Sequence, residues 1–414
     1  MDDRFDQCVI GAGIIGLSIA YSLTRAGQKV VVVDPDGMAN GASSGNAGAF
    51  AFADVEPLAS LGTLLRSPRW LLDPLGPLSL PLSHALPMLP WMTGFARACV
   101  PDTHAASTKA QAALMRLAKE HTESFFQKAG LGDHIRREGA LYLYEGEKAF
   151  NAAAEVWKVR ADHGVGFEPV TGERLATLQP GLGPSYTHAM FVPDWLMVTD
   201  PHDLTKALGE RTVALGAKFH QIGADDITLD DEGGIAQLSD GDSVKAQKAV
   251  VAAGAWSGKL AARLGDKVPI QPERGYNTTL PKSAFDLKRQ LVLPGDGYVI
   301  TPLASGIRVG GAAEFAGFKR KPDFRRSAAM LKKSEKVMSG LKTEGGEVWM
   351  GIRPSLPDTL PVIGPASKDN RVIYALGHGH LGLTQCVATA MTVRDLALGN
   401  PPPIDIHPYR VERF

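Results

Sequence analysis

The stretch Gln7-Cys8-Val9-Ile10-Gly11-Ala12-Gly13-Ile14-Ile15-Gly16 decides the fold, together with the acid that ends Val30-Val31-Val32-Val33-Asp34. The order is strand, glycine turn, helix, strand, acid. In a G-x-G-x-x-G turn the glycines permit the bend, the approach of a pyrophosphate and close packing of helix on strand. The pattern predicts a dinucleotide site with Asp34 on a ribose. The alternative is a glycine-rich turn without a ligand.

The glycine motif fits NAD and FAD equally, but an acid at position 34 disfavours NADP, whose 2′-phosphate calls for an arginine. A second small-residue loop, Gly41-Ala42-Ser43-Ser44-Gly45-Asn46-Ala47-Gly48, follows the acid closely. Small residues in this loop would let its backbone lie against a ligand.

The chain has 414 residues, which predicts two compact units. Lys plus Arg and Asp plus Glu both number 44, so no net field attracts nucleic acid. Cys8, Cys99 and Cys386 are scattered and form no C-x-x-C pair, which argues against a disulfide framework, a zinc site and a dithiol centre. We therefore expect no nucleic-acid partner and no metal.

Apolar runs are too short for the roughly eighteen residues of a membrane span, and the first of them follows Asp2-Asp3-Arg4 rather than a basic signal region. We expect a cytoplasmic protein. The segment Leu58 to Val100 is rich in Leu, Trp and Pro, and its six prolines predict only short helical pieces. It is interpreted as a cap over a pocket, with peripheral contact to the inner membrane as the alternative.

Hydrophobic periodicity predicts helices over 103–129, 147–163, 201–215 and 324–341, and strands over 140–144, 218–220, 224–229 and 235–238. Residues 268–311 read as mostly β structure. From residue 345 onward, predicted strands and a final helix resemble the strand and helix pattern of the first residues. The pattern predicts that the chain leaves its nucleotide-binding unit and re-enters it.

The loop Gly377-His378-Gly379-His380-Leu381-Gly382-Leu383-Thr384 lies between a predicted strand and the final helix. A helix N-terminus there suits a group that gains negative charge, such as a reduced flavin, and the alternative is a plain glycine turn. His378 and His380 are candidate general bases. Most loop histidines, however, are simply hydrogen-bonded surface groups.

Arg353 ends an apolar strand, Trp349-Met350-Gly351-Ile352-Arg353, and its planar fork matches a carboxylate. An unpaired buried arginine would be costly, so the alternative is a salt bridge within the chain, with Asp358 the nearest acid in sequence. Tyr276 and Tyr298 are candidates for donating to a bound carboxylate. A strand tyrosine more often serves packing.

The order and spacing of these motifs, with Val250 to Trp256 and Pro357 to Gly364, resemble the D-amino acid oxidase superfamily of FAD enzymes. The Leu- and Pro-rich insertion and the Gly-His-Gly-x-Leu-Gly-x-Thr ending resemble its bacterial D-amino acid dehydrogenases. The resemblance covers nearly the whole chain.

The resemblance implies an α/β fold (α+β overall) with two domains. One is a doubly wound, Rossmann-like FAD-binding domain over 1–57, 196–270 and 345–414. The other is a discontinuous substrate domain over 58–195 and 271–344, built on a mostly antiparallel sheet. No His or Cys stands at the positions where relatives tether flavin, so the FAD is expected to be noncovalent.

The resemblance also implies a site, position by position. Cofactor-binding residues would be Gly11, Gly13, Ile14, Ile15, Gly16, Asp34, Ser43, Ser44, Asn46, Ala47, Gly48, Ala224, Ala253, Gly254, Trp256, Gly351, Gly379, Leu381, Gly382, Leu383 and Thr384. Catalytic residues would be Arg353, which binds the substrate carboxylate, with Tyr276, Tyr298 and His380.

The hypothesis from these residues is oxidation of a D-amino acid to its imine or 2-oxo acid, with hydride passing to flavin N5 and electrons to a quinone or another carrier. His380 stands where relatives active on D-alanine carry a small residue, which narrows the expected substrate to a cyclic one such as D-proline or cis-4-hydroxy-D-proline. Three alternatives remain open. They are an oxygen-using amine oxidase of the glycine/sarcosine oxidase type, a nucleotide-binding subunit of a hetero-complex and an NAD-linked dehydrogenase.

Overall fold

The structure, a computed structural model, describes residues 4–73, 75–229 and 234–414. The strands in this part of the chain are β1 Phe5–Ile10, β2 Val30–Val33, β3 Ala49–Phe50, β4 Leu78–Ser79, β5 Ile135–Arg136, β6 Ala140–Glu145, β7 Glu168–Thr171, β8 Tyr186–Val192, β9 Leu196–Val198, β10 Lys218–His220, β11 Ala224–Leu229, β12 Gly234–Leu238, β13 Ser243–Val251, β14 Gln271–Leu280, β15 Gln290–Leu293, β16 Tyr298–Leu303, β17 Gly306–Phe315, β18 Glu347–Ser355, β19 Val362–Pro365 and β20 Val372–Leu376. The helices are α1 Ile14–Arg25, α2 Leu61–Leu72, α3 Leu82–Ala98, α4 Pro101–Lys128, α5 Gly146–Asn151, α6 Ala154–Asp162, α7 Gly172–Leu178, α8 Pro201–Ala214, α9 Ser257–Arg263, α10 Arg325–Val337 and α11 Gly382–Leu398.

The first sheet is the nucleotide-binding fold that the opening motif predicts. Its parallel core has the order β10-β2-β1-β13-β20, extended by antiparallel β19 and by the antiparallel pair β11 and β12. Val9, Val32 and Val250 face one side, where they share a core with residues of α1, α4, α8 and α11. Val31 and Val251 face the other side, toward α9. Because both faces are covered there, β2 and β20 are continuously apolar and buried.

The second sheet is mostly antiparallel, as expected, with the order β18-β14-β17-β16-β15-β6-β8-β7. Helix α10 packs against β14 and β17. We call that side the outer face and the opposite side the inner face. A small sheet, β3-β9-β5, completes the fold. The predicted boundary at 345 divides β18 from the sheet to which it belongs, because β18 pairs with β14 along nine residues.

The segment 58–100 folds differently from its prediction. Helix α3 runs for seventeen residues through Pro87 and Pro90. Both prolines are exposed, so the carbonyls that lose their partners meet water, while Met88 and Trp91 anchor the opposite side of the helix on Phe315. Similarly, the helix predicted over 147–163 is two helices, α5 and α6, which separate near Ala152.

Helices α2 and α3 expose a set of leucines that we call the leucine surface. In α2 no residue is buried, and Leu65 is 72 % exposed; in α3, Leu86 is 77 % exposed. Within each helix these leucines recur at steps of three, four or seven residues and therefore share a face. The set is Leu61, Leu65, Leu72, Leu82, Leu86 and Leu89. None of the helices in the described part of the chain combines the length and apolar character that a bilayer crossing requires.

Candidate functional site

One cavity of about 1590 Å³ is lined by residues of both large sheets and capped by parts of the segment 58–100. This volume exceeds the 300–1,000 Å³ or so of an ordinary ligand pocket, so a long cofactor and a substrate fit together. Most predicted site residues line it. The exceptions are Gly16, Ser44 and Gly48.

The glycine turn is held by close contacts that only glycine allows. Gly11 has φ +114°, and a Cβ added there would overlap the Ala252 carbonyl; one added to Gly16 would overlap the Gly11 carbonyl. No side chain caps α1 at Gly13, and within the described residues the amides of Ile15 and Gly16 have no acceptor. These amides and the helix dipole form an anion site.

Asp34 ends β2 beside this turn. Its Oδ2 accepts a hydrogen bond from the Ala12 amide at 2.7 Å, and its Oδ1 accepts one from the Asp36 amide at 2.9 Å. Burial raises the pKa of Asp34, and the two amides act against that rise. The carboxylate is therefore fixed in orientation and keeps lone pairs for a ribose hydroxyl.

Hydrogen bonds hold the loop 41–48 to α1 and to the second sheet. Ser43 Oγ accepts a hydrogen bond from the Ile14 amide at 2.9 Å, which secures the loop to α1. Asn277 Nδ2 donates to the Gly45 carbonyl at 2.7 Å, and Arg308 Nη1 donates to the Asn46 carbonyl at 2.8 Å, both from the second sheet. The Ser44 hydroxyl is directed to the Gly41 carbonyl. Ser44 therefore supports the loop rather than the cavity.

The C-terminal loop brings a second helix N-terminus to the cavity. Helix α11 has no side-chain cap, and within the described residues the amides of Gly382, Leu383 and Thr384 have no acceptor. The two histidines of the loop differ. His378 is buried with Nε2 3.0 Å from Thr389 Oγ1, and burial lowers its pKa to about 3. His380 lines the cavity with 39 % of its side chain exposed.

The centre of the candidate active site is a buried acid that the sequence interpretation missed, Glu273. Its Oε1 accepts from Arg353 Nη1 at 2.8 Å and lies 2.7 Å from His380 Nε2, and its Oε2 accepts from the Ser355 hydroxyl. Burial acts to raise the pKa of Glu273, but His380, Arg353 and Ser355 outweigh it and lower the pKa to about 2. Glu273 therefore stays ionised at neutral pH.

Arg353 keeps one edge open. Its guanidinium lies directly over Gly275, where a Cβ would collide with it, and Nη1 is bonded to Glu273 and to the Ala312 carbonyl. Within the described residues, Nε and Nη2 make no hydrogen bond, and 22 % of the side chain is exposed. Asp358, the alternative partner predicted from sequence, is instead paired with Arg413. The open edge can take a carboxylate through two N–H groups.

Both predicted tyrosines line part of the cavity, but they direct their side chains to the outer face of the second sheet. Glu273 is opposite Arg353 in the β14–β18 register, whereas Tyr276, three residues further on, is opposite Met350, and alternate residues face opposite sides. The Tyr276 hydroxyl donates to buried Glu314, and the Tyr298 hydroxyl accepts from Ser334 of α10. Neither hydroxyl is directed toward Arg353, so the predicted role in carboxylate binding is not supported for either tyrosine.

Comparison with known proteins adds an independent observation. The profile of the family described as FAD dependent oxidoreductase (DAO) matches residues 6–396. The chain belongs to this family. FAD is therefore the cofactor of this DAO-family chain. The open amides at the two helix N-termini and the long cavity that joins them fit a dinucleotide of that length.

Two relatives align with almost the whole of this chain. A D-amino-acid oxidase of Bradyrhizobium diazoefficiens is 30 % identical, with 98 % of each chain covered. A D-amino acid dehydrogenase of Rhizobium johnstonii is 29 % identical, covering 98 % of this chain and 99 % of the relative. Among solved structures, glycine oxidase from Geobacillus kaustophilus superposes with a TM-score of 0.79 at 19 % identity, covering 99 % of both chains. The last similarity supports the fold alone.

The sequence holds one partial signal for Glu273 and none for Ser355. Glu273 is a lone acid in a β run, directly before Arg274-Gly275, and Arg353 stands beside Gly351 in another β run. Pairing these two strands in the correct register would have placed Glu273 opposite Arg353. Nothing in the sequence specifies that register, because the strands lie some eighty residues apart.

Proposed function

We propose that this chain is an FAD-dependent dehydrogenase that oxidises a D-amino acid to its imine. The observation that carries the proposal is the open edge of Arg353 in the cavity, beside the loop that begins α11. A carboxylate bound there by two N–H groups would have a fixed direction. The names of the two relatives support the D-amino acid class.

In this proposal Arg353 orients the substrate, and bound FAD supplies the acceptor for two electrons. The α11 amides lie where negative charge is stabilised without a charged side chain. The cap over the cavity, through Trp91 and Phe95, limits access of water to the reacting groups. Orientation and exclusion of water account for the chemistry without a nucleophile in the chain.

The narrower substrate proposal is a cyclic imino acid, D-proline or cis-4-hydroxy-D-proline. It rests on His380, a polar ring at the cavity wall that could meet a substrate hydroxyl. The test is anaerobic bleaching of the flavin by a panel of D- and L-amino acids that includes D-proline and its hydroxy forms. Bleaching by D-amino acids is expected. If every D-amino acid fails, the proposed function is wrong, and a nucleotide-binding subunit becomes the better interpretation.

The electron acceptor is proposed to be a quinone or another carrier rather than oxygen. The distinguishing measurement is the yield of peroxide per substrate oxidised under air, compared with reduction of a quinone analogue. A low peroxide yield and rapid quinone reduction are expected. A peroxide yield near one per substrate would assign the chain to the oxygen-using oxidases instead.

Peripheral contact with an anionic lipid surface is proposed through the leucine surface. The segment 58–100 carries three arginines, Arg66, Arg69 and Arg97, against one acid, Asp73, so charge and exposed apolar area coincide. The holoenzyme should float with vesicles of anionic lipid and detach as salt increases. Leu65→Glu with Leu86→Glu should abolish flotation. Val213→Glu, at an exposed apolar position on α8, is the control.

A further inference from the structure

The imidazole of His380 and the carboxylate of Glu273 form a pair inside the cavity. The separation between His380 Nε2 and Glu273 Oε1 is 2.7 Å. A carboxylate on one ring nitrogen selects the tautomer that carries its proton there, so Nδ1 is left as the acceptor. Within the described residues Nδ1 has no hydrogen-bond partner, and His380 lines the cavity. The free nitrogen is therefore available to a ligand.

Arg353 and His380 share one oxygen of Glu273, and each has a nitrogen within 2.8 Å of it. An α-amino acid carries its ammonium and carboxylate groups on the same carbon. A carboxylate on the open edge of Arg353 therefore brings the ammonium group close to His380. The shared oxygen couples the residue that binds the carboxylate to the residue that meets the amine.

Resting on the proposed function, we propose that His380 accepts a proton from the substrate ammonium and that Glu273 is the positioning residue that enables it. The N–H bond of the ammonium breaks, an N–H bond forms at His380 Nδ1, and the imidazole becomes an imidazolium held by Glu273. No electrons are exchanged in this step. The amine is left with the lone pair that an imine requires, and the proton later returns to water.

The charges around His380 suit this transfer only when substrate is bound. Glu273 of β14 contacts His380, and Arg353 of β18 opposes a positive charge through the same oxygen. His378, in the same loop, is buried against Thr389 and remains neutral. When a substrate carboxylate neutralises Arg353, the negative charge of Glu273 becomes available to an imidazolium. Arg353 and the Ser355 hydroxyl, which also contact Glu273, favour its ionised form at neutral pH.

The kinetic test is the pH profile of the anaerobic bleaching rate at saturating substrate. His380→Gln should lower the rate at pH 7 about 100-fold, the lower limit of general-base catalysis. The rate of this variant should rise about tenfold per pH unit, because only the free amine reacts below the pKa of the ammonium group. Glu273→Gln should show the same slope. Glu314→Gln, on the other face of the sheet, should keep the wild-type profile.

The second readout does not depend on turnover. In protein labelled with ¹⁵N-histidine, the His380 signals are assigned by their loss in His380→Gln. Saturation with the 2-methyl analogue of the substrate, which lacks the Cα–H, should convert His380 from imidazole to imidazolium in the wild type. In Glu273→Gln the ring should stay neutral.

Failure of this inference is distinct from failure of the proposed function. A wild type that no D-amino acid bleaches contradicts the proposed function. A wild type that bleaches, with an unchanged pH profile in His380→Gln, leaves the function standing and overturns the proton transfer. A His380 ring that stays neutral in the saturated complex overturns it as well.

Discussion

Two buried glutamates on opposite faces of the second sheet have similar partners and different surroundings. On the inner face Glu273 contacts Arg353, whose side chain is 22 % exposed, and His380. On the outer face Glu314 contacts Arg274, whose side chain is 0 % exposed, and the Tyr276 hydroxyl. Both are ion pairs in a β-sheet.

The difference lies in whether the unbonded groups face the cavity. Arg353 keeps two N–H groups free toward a cavity, and His380 keeps Nδ1 free. The outer cluster is closed by α10 and by the backbone, because Arg274 Nε donates to the Gly317 carbonyl and the Asp323 amide donates to the Tyr276 hydroxyl. Arg274 Nη2 also lacks a hydrogen-bond partner, but it is buried and no ligand can reach it. A buried ion pair therefore marks a site only where part of it remains open, and a closed pair is a structural element.

The largest expected effect is on the open cluster. Arg353→Lys removes the planar fork, so kcat/KM should fall about 150-fold, which corresponds to about 3 kcal/mol for a truncated buried charge pair. The measurement is the bleaching rate at low substrate concentration. Arg274→Lys, in the closed cluster, is the matched control. If both lysine variants lose kcat/KM equally, the distinction between the two faces fails.

The closed cluster should matter more for stability. Glu314→Gln leaves the charge of Arg274 buried without its partner, so the free energy of unfolding should fall by about 3 kcal/mol. Glu273→Gln should cost less than Glu314→Gln, because cavity water reaches Arg353 and His380. Denaturant unfolding of both holoenzymes at pH 7 provides the comparison. If Glu273→Gln loses more unfolding free energy than Glu314→Gln, the Glu273 cluster is not the open one and the comparison of the two faces is wrong.

Acid should remove the contribution of Glu273 to stability. Its pKa is lowered from 4.5 to about 2, so the folded state favours the carboxylate, and the stabilisation is complete above pH 4.5. As pH falls from about 4.5 to about 2, the unfolded chain binds the proton first and this stabilisation is lost. The difference in unfolding free energy between wild type and Glu273→Gln should shrink across that range. A constant difference would contradict the low pKa.

The smallest expected effect is at Tyr276. Tyr276→Phe removes one hydrogen bond to a charged group, so the free energy of unfolding should fall by about 1.5 kcal/mol. KM and kcat should stay near those of the wild type, because the hydroxyl is on the outer face. Steady-state kinetics alongside urea unfolding checks both statements. A large rise in KM would restore the role predicted from sequence.

The two histidines of the C-terminal loop show a limit of prediction from the sequence. His378 and His380 flank Gly379 and are equivalent as candidates in the sequence. The structure buries the first against Thr389 and places the second in the cavity, next to a carboxylate from a strand more than a hundred residues earlier. The helix-breaking effect predicted for the prolines of α3 is wrong for a similar reason, since their cost depends on whether the freed carbonyls reach water.

The sequence alone determined the nucleotide-binding fold, the mostly antiparallel second sheet and the family, because glycine spacing and local periodicity are encoded within short windows. It also singled out Arg353 and the loop that begins α11. Only the tertiary structure decided which face of the second sheet each side chain occupies. Pairing Glu273 with Arg353 needs the register of two distant strands, and a shift of one residue would exchange the inner and outer faces.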